Sequence, residues 1–465
     1  LGDVYKRQTL SLDQEFTDRF DISVSGSFVH LRRDSYYGGT GTEVIDPGLV
    51  MVTTQAPLNG TYDGATPIVG GSPDQQRAFA LFGNGAGDGG SYNQFGILDS
   101  TTYLFNAQGN YDFGDTSSGS HLLTFGIQYE QEELFDENVN AFGQRLNILQ
   151  DEVFKNVGFY FQDQWQINEQ LEFVPGIRID NASTLERSVI SPRIAARFNA
   201  TRELTIRGNI STGFLAPRIF SEDTHIDNLA ARPIDTINAD GLTEERSYTA
   251  ALGADFTPMV LDGNFTTSIQ NYFTILNDSF TIDPTDMTPG HSRGTYVRKN
   301  TSGSTVFGIE WDAAWAPNSN WRLDLGTAYT CTRYDEAQIL ADDGSTSILS
   351  NRYNKTPDWS GLVQVTYLNP QAFNAFIGLK WTGTMRVAQN APTARVVESK
   401  PFYVVNIGLS RTFNLGSTEV RAKVGINNVF DDFQDDLQSG SDRDSGYVYG
   451  PRAPRTFYFG VDMDF

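Results

Sequence analysis

Arg455-Thr-Phe-Tyr-Phe-Gly-Val-Asp-Met-Asp-Phe465 decides the fold class. Phe457, Phe459, Val461, Met463 and Phe465 fall on one face of an extended chain, and Thr456, Tyr458, Gly460, Asp462 and Asp464 on the other. Successive side chains of a strand point to opposite faces, so the segment predicts a strand between two different environments. An ordinary strand over a soluble core gives the same pattern once. Here it recurs. In 419–427, Val420, Ala422, Val424 and Ile426 share a face, while Glu419, Arg421, Lys423, Gly425 and Asn427 share the other. An Arg or Lys at the lipid midplane costs roughly 2–4 kcal/mol. A one-residue slip of this strand would then cost on the order of 4–8 kcal/mol, so the charged face is expected to line a lumen. Similar alternation runs through 403–413, 204–213, 247–256 and 121–129.

Composition agrees. Nowhere do the 465 residues run 18 apolar positions without a charge, so no transmembrane helix is written here. Aromatic residues make up 12%, with 32 Phe and 20 Tyr, and 44 Gly are scattered among the strands. With a mean hydropathy of -0.35, this fits a barrel with lipid outside and water inside. A net charge of -23 argues against nucleic acid, which needs a basic stripe. Cys331 is the single cysteine, so no internal disulfide forms; in phase with Trp321, Leu323 and Leu325, it is expected on an apolar face. Residues 1–8 show no apolar targeting segment and are set apart as a candidate non-native or scar segment, with 9–465 as the barrel.

Connection lengths alternate. Asn199-Ala-Thr-Arg-Glu, Pro317-Asn-Ser-Asn and Asn414-Leu-Gly-Ser-Thr are short, whereas long polar stretches fall near 34–100, 134–153, 214–245, 284–298, 335–357, 387–401 and 431–454. Outer-membrane barrels have short periplasmic turns and long extracellular loops. The expectation is all-β: a transmembrane antiparallel up-and-down β-barrel with about sixteen strands present and a partial one at 9–16. Trp165, Trp315, Trp321 and Trp381 near strand ends suit an aromatic belt.

Specific strings resemble a family. Ile190-Ser-Pro-Arg-Ile followed by Ser211-Thr-Gly-Phe-Leu-Ala-Pro-Arg218 resembles the paired-strand signature of TonB-dependent outer-membrane receptors. Gly158-Phe-Tyr-Phe-Gln-Asp-Gln-Trp165 with Val174-Pro-Gly-Ile-Arg-Ile-Asp180, Val306-Phe-Gly-Ile-Glu-Trp311, and Asn427-Asn-Val-Phe-Asp431 with Tyr449-Gly-Pro-Arg are similar to further strands of that family, in order over 120–465. The resemblance implies a bacterial outer-membrane location and active uptake of a large scarce solute, such as a ferric siderophore, cobalamin, a glycan or a peptide. It also implies energy from the TonB complex and a 22-stranded barrel closed by an N-terminal plug. Plug and TonB-binding box have no counterpart in these residues, so a truncated portion of the barrel is expected. About sixteen strands is also the count of a passive general porin, the alternative reading.

Residue-level expectations are modest. Aromatic and Arg side chains in or beside the long loops suit a large polar ligand, which makes Arg218, Phe220, His225, Tyr334 and Tyr353 the contact candidates. In Phe214-Leu-Ala-Pro-Arg-Ile-Phe220 the plainer reading is that Pro217 ends a strand and Phe214 packs locally. The acidic run Asp431-Asp-Phe-Gln-Asp-Asp436, with Asp442 and Asp444, invites a divalent cation but lacks calcium-loop spacing, and a solvated face is the plainer reading. His30, His121, His225 and His291 form no close pair, and no phosphate-binding loop opens a helix, so no catalytic group, metal or cofactor is expected. The expected partners are outer-membrane lipid, the solute, the TonB complex and the barrel assembly machinery. Phe457, Phe459 and Phe465 are read as the assembly signal, because a terminal aromatic strand resembles the one that machinery reads.

Overall fold

The computed structural model describes residues 2–38, 93–140, 145–218, 235–258, 264–283, 295–342, 346–369, 371–390, 393–416, 418–438, 444, 446–451 and 453–464. Among them there are strands and no helix. The first eight strands are β1 (Gly2–Thr17), β2 (Phe20–Gly38), β3 (Asn93–Thr116), β4 (Gly119–Asn140), β5 (Arg145–Gln166), β6 (Leu171–Ala182), β7 (Val189–Asn199) and β8 (Leu204–Leu215). After the short β9 (Asp235–Asn238) come β10 (Glu245–Phe256), β11 (Phe265–Asn277), β12 (Phe280–Asp283), β13 (Thr295–Asn300), β14 (Ser304–Asn318), β15 (Trp321–Tyr334), β16 (Gln338–Asp342) and β17 (Ser347–Ser350). The chain continues through β18 (Trp359–Tyr367), β19 (Asn374–Thr382), β20 (Arg386–Gln389), β21 (Arg395–Glu398), β22 (Phe402–Leu415), β23 (Thr418–Asn427) and β24 (Thr456–Asp464).

Seventeen of these strands form one antiparallel meander in which each pairs with its neighbour along the chain. The other seven make three small sheets: β9, β13 and β12 with a parallel β13–β9 pair, and the hairpins β16–β17 and β20–β21. All seven lie in connections at one end of the meander. The opposite end carries the tight turns, two residues long at 18–19, 117–118 and 319–320. Residues 2–8 and 9–16, read apart in the sequence, both fall in β1, whose register against β2 runs from Gly2↔Asp34 to Thr17↔Phe20.

Register fixes the faces. Phe457, Phe459, Val461 and Met463 stand opposite Ile426, Val424, Ala422 and Val420. These side chains point outward; Phe459 is 78% exposed in the bare protein. On the other face Asp462 stands opposite Arg421 and Asp464 opposite Glu419. On β3 the outward series runs from Phe113 through Tyr111, Gly109, Ala107 and Phe105 to Tyr103. Ten steps along the strand at about 3.3 Å each, tilted about 40°, give a band roughly 25 Å tall, the height of the apolar girdle of outer-membrane barrels. Aromatic pairs mark its lower edge: Trp321 meets Tyr367 at 5.0 Å, Trp165 meets Phe173 at 6.3 Å, and Tyr111 meets Phe113 at 4.9 Å. Trp381, by contrast, sits near the long-connection end of β19.

One feature differs from the sequence expectation. The polar stretch 134–153 is mostly strand, since β4 runs to Asn140 and β5 starts at Arg145. Above the lipid both faces of a strand meet water, so alternation fades while the ladder continues. β1 leads into a tight turn and β24 arrives from a long connection, so the two end strands run in the same direction. Among the described residues no pairing joins them.

Candidate functional site

The inward face is a wall of paired charges. Arg178 reaches Asp180 at 2.7 Å, Arg322 reaches Asp324 at 2.8 Å and Arg421 reaches Glu419 at 3.4 Å, each two residues apart on one strand and hence on one face. Arg197–Glu172, at 2.9 Å, joins direct cross-strand partners. Arg207–Asp255, at 2.6 Å, and Lys423–Asp462 run diagonally. Such neighbours are the contact units of a sheet face. Asp180 is the most enclosed, 1% exposed, and takes hydrogen bonds from Arg178 and from Asn156 Nδ2 at 2.9 Å. Arg178 Nη1 also donates to Gln128 at 2.9 Å. Gly158 makes room: a Cβ there would stand 2.2 Å from Arg178 Nη2.

The outer mouth is built by the long connections. Arg218, one of the contact candidates, is ion-paired with Glu132 of β4 at 2.9 Å, and Ser100 donates to the same carboxylate at 3.1 Å. The Arg218 carbonyl accepts a hydrogen bond from Arg298 of β13, whose guanidinium lies 5.7 Å from the Phe280 ring centre. Burial pushes Arg298 down from its ordinary value. Behind this layer the Glu244 carboxylate, 1% exposed, holds Arg246 at 3.0 Å and Arg187 at 3.2 Å. Burial acts to raise Glu244, but hydrogen bonds and the two cations outweigh it and leave the group below the usual carboxylate range. Tyr334 and Tyr353 come together, with ring centres 4.5 Å apart, and the Tyr353 hydroxyl bonds Ser304.

The connection 428–455 folds over the β20–β21 hairpin. Tyr447 packs with Met385 and Val387, flanked by Val397 and Tyr449. Its acidic run is engaged at every described carboxylate. Asp431 accepts from Arg455 N at 2.7 Å, Asp432 from Tyr403 N at 2.6 Å, Asp435 from Lys400, and Asp444 from Asn390 N at 2.5 Å. Asp436 accepts from Tyr447 at 2.6 Å and Tyr449 at 2.7 Å. Burial and the Asp436 carboxylate push the Tyr449 phenol far above its ordinary value. No group of three His, Cys, Asp or Glu side chains among the described residues can hold a metal.

Of the five contact candidates, Arg218, Tyr334 and Tyr353 lie at the mouth, while Phe220 and His225 fall outside the described residues. Phe457 and Phe459 lie on the outward face of β24; Phe465 also falls outside the described residues. β8 ends at Leu215, two residues before Pro217. Cys331 stands opposite Phe307 on the outward face, with Arg352 Nη1 at 3.0 Å from its Sγ. The sequence does not single out Glu132, Glu244 or Tyr447; Glu132 meets Arg218 from 86 residues away and Glu244 meets Arg187 from 57.

Comparison with known proteins follows the geometry. Residues 2–429 match the family described as TonB dependent receptor-like, beta-barrel. A 101-residue stretch is 33% identical to an iron-regulated outer membrane virulence protein of Vibrio cholerae, covering 22% of this chain and 15% of that one. The siderophore receptor PiuA of Acinetobacter baumannii superposes with a TM-score of 0.66 at 14% identity, over 99% of this chain and 64% of that one. The ferric enterobactin receptor PfeA of Pseudomonas aeruginosa gives 0.65 at 13% identity, over 99% and 62%. The chain thus spans less than two thirds of the length of these receptors. It belongs to the TonB-dependent receptors of the bacterial outer membrane, as part of their β-barrel.

Proposed function

We propose that this chain forms the barrel wall and outer mouth of an active-uptake receptor for a large scarce solute, energised through the TonB complex. A ferric siderophore leads, ahead of cobalamin and of a glycan or peptide. The observation that carries the reading is the folded outer layer: three small sheets and the 428–455 connection gathered at one end of a charged lumen. A passive pore has no use for so much ordered structure over its entrance. Strand parity also weighs against a free-standing porin. β1 and β24 run in the same direction, so an odd number of further strands must stand between them for every pair in a closed barrel to be antiparallel. Five more would make the 22-stranded transporter barrel.

The test is growth of iron-starved cells carrying the gene for this protein or lacking it, on a panel of ferric siderophores, with cobalamin and oligosaccharides in parallel assays. Growth on one or a few iron chelates that depends on the gene supports the reading. Equal use of every small solute regardless of identity is the behaviour of a passive pore.

A further inference from the structure

A single charge interrupts the apolar outward face of β22. Tyr403, Val405, Ile407, Leu409 and Phe413 share that face, and Arg411 stands between the last two. Its register partner is Ala422 of β23, which in turn stands opposite Val461 of β24. The guanidinium therefore belongs to the lipid side of the wall and not to the lumen. Phe413, Val420 and Met463 form one further apolar row between Arg411 and the short connection to β23. Two steps along the strand at about 3.3 Å each, tilted about 40°, set the Arg411 backbone roughly 5 Å inside that row.

An arginine facing hydrocarbon is costly unless something neutralises it. The protein supplies only part of a partner. The guanidinium carbon lies 5.2 Å from the centre of the Phe413 ring, a cation–π distance, so the side chain runs toward the periplasmic end of the strand. A ring face attracts the charge but satisfies none of the guanidinium's N–H donors. Arg411 is exposed, and its guanidinium makes no ion pair or hydrogen bond among the described residues. Asp163, which also faces outward, opposite Leu123, is the contrasting case: His121 on the same face meets it at 2.9 Å.

We propose that Arg411, backed by Phe413, is a site for the phosphate of an anionic glycerophospholipid in the periplasmic leaflet. At the periplasmic edge of the girdle the guanidinium is within reach of the headgroup layer, and a phosphodiester takes two of its N–H donors side by side. The surroundings also select the headgroup. Among the described residues no Asp or Glu shares the outward face of β19, β22, β23 and β24, so the ammonium of an aminophospholipid finds no carboxylate beside Arg411. A headgroup with a phosphate and no amine loses nothing there. The acyl chains lie along Ala422, Leu409 and Val424 on the same face. This goes beyond the uptake reading, since it concerns the outer wall and needs no solute.

The experiment takes the protein that contains this chain, extracted in detergent from outer membranes and stripped of bound lipid. It is titrated with phosphatidylglycerol, phosphatidylethanolamine or phosphatidylcholine, and bound lipids are counted by native mass spectrometry. One phosphatidylglycerol per chain should bind more tightly than any further copy and more tightly than either zwitterionic lipid. Arg411→Gln should weaken that step by roughly tenfold or more. Arg411→Lys should weaken it less, because an ammonium keeps the charge but not the fork. Arg421→Gln, whose guanidinium faces the lumen, should leave it unchanged. Removing a charge from the lipid face spares the fold, which heat-modified gel mobility checks. Equal binding of the three lipids by the parent, or phosphatidylglycerol binding unchanged in Arg411→Gln, would overturn the proposal. So would a dimer of the parent that Arg411→Gln dissolves, since a second copy would then occupy the site. None of these readouts depends on uptake.

Discussion

Lys423 of β23 is ion-paired with Asp462 of β24 along a diagonal of the inward face, back to back with the Val424–Phe459 contact that faces lipid. The two relationships together lock the terminal hairpin in one register. Val461→Arg should therefore cost roughly 2–4 kcal/mol and sharply reduce folded barrel. Asp462→Asn removes only a half-exposed ion pair and should cost about 1 kcal/mol or less. Urea unfolding of the two variants in lipid vesicles measures the difference; equal losses would contradict the face assignment.

Tight packing on the inward face gives a second prediction. A Cβ on Gly408 would sit 2.3 Å from Phe376 and 2.6 Å from the Tyr458 hydroxyl, and one on Gly425 would sit 2.3 Å from the same hydroxyl. Gly408→Val should displace both rings and cost about 1–3 kcal/mol. Gly460→Ala, where the nearest atom is 4.0 Å away, should be nearly silent. Thermal unfolding followed by gel mobility distinguishes the two.

Acid should open the rim at Glu244. Its carboxyl is depressed in the folded protein, so its contribution to stability is full above the ordinary carboxylate value and is lost as pH falls through the lower folded one. Hydrogen exchange of residues 183–190 and 242–246 should speed up below about pH 4. Glu244→Gln should show fast exchange at neutral pH and little further change with acid. An acid step that persists in Glu244→Gln would point to another group.

These contrasts show what the sequence carries. Alternation in 419–427 and 455–465 is legible because lipid and water act on opposite faces of the same strand. It does not show in 134–153, although β4 runs on to Asn140 and β5 starts at Arg145. Loop architecture was illegible for another reason. Tyr447 finds Met385 and Val387 some sixty residues back, and Arg218 finds Glu132 on a strand laid down 86 residues earlier. No local pattern encodes such meetings, so the Arg218–Glu132 pair is invisible until the fold brings the two residues together.

Phe465 is proposed as the most sensitive residue of the assembly signal. Phe457, Phe459, Val461 and Met463 form an unbroken outward face, and burying each such side chain is worth roughly 1.5–3 kcal/mol. If Phe465 served only as one more lipid contact, its deletion would cost a small part of that. Deletion should instead lower the amount of barrel in cell outer membranes several-fold and barely shift the thermal stability of what does assemble. Unchanged membrane levels would leave only the lipid-packing role.

The central claim is energised uptake through this barrel. Its most direct measurement is accumulation of a radiolabelled ferric siderophore that supports growth, in cells whose only receptor for it is the protein containing this chain. Accumulation should reach many times the external concentration and collapse when TonB is deleted or the proton gradient is discharged. Equilibration with the outside at an unchanged rate under either treatment would contradict the account.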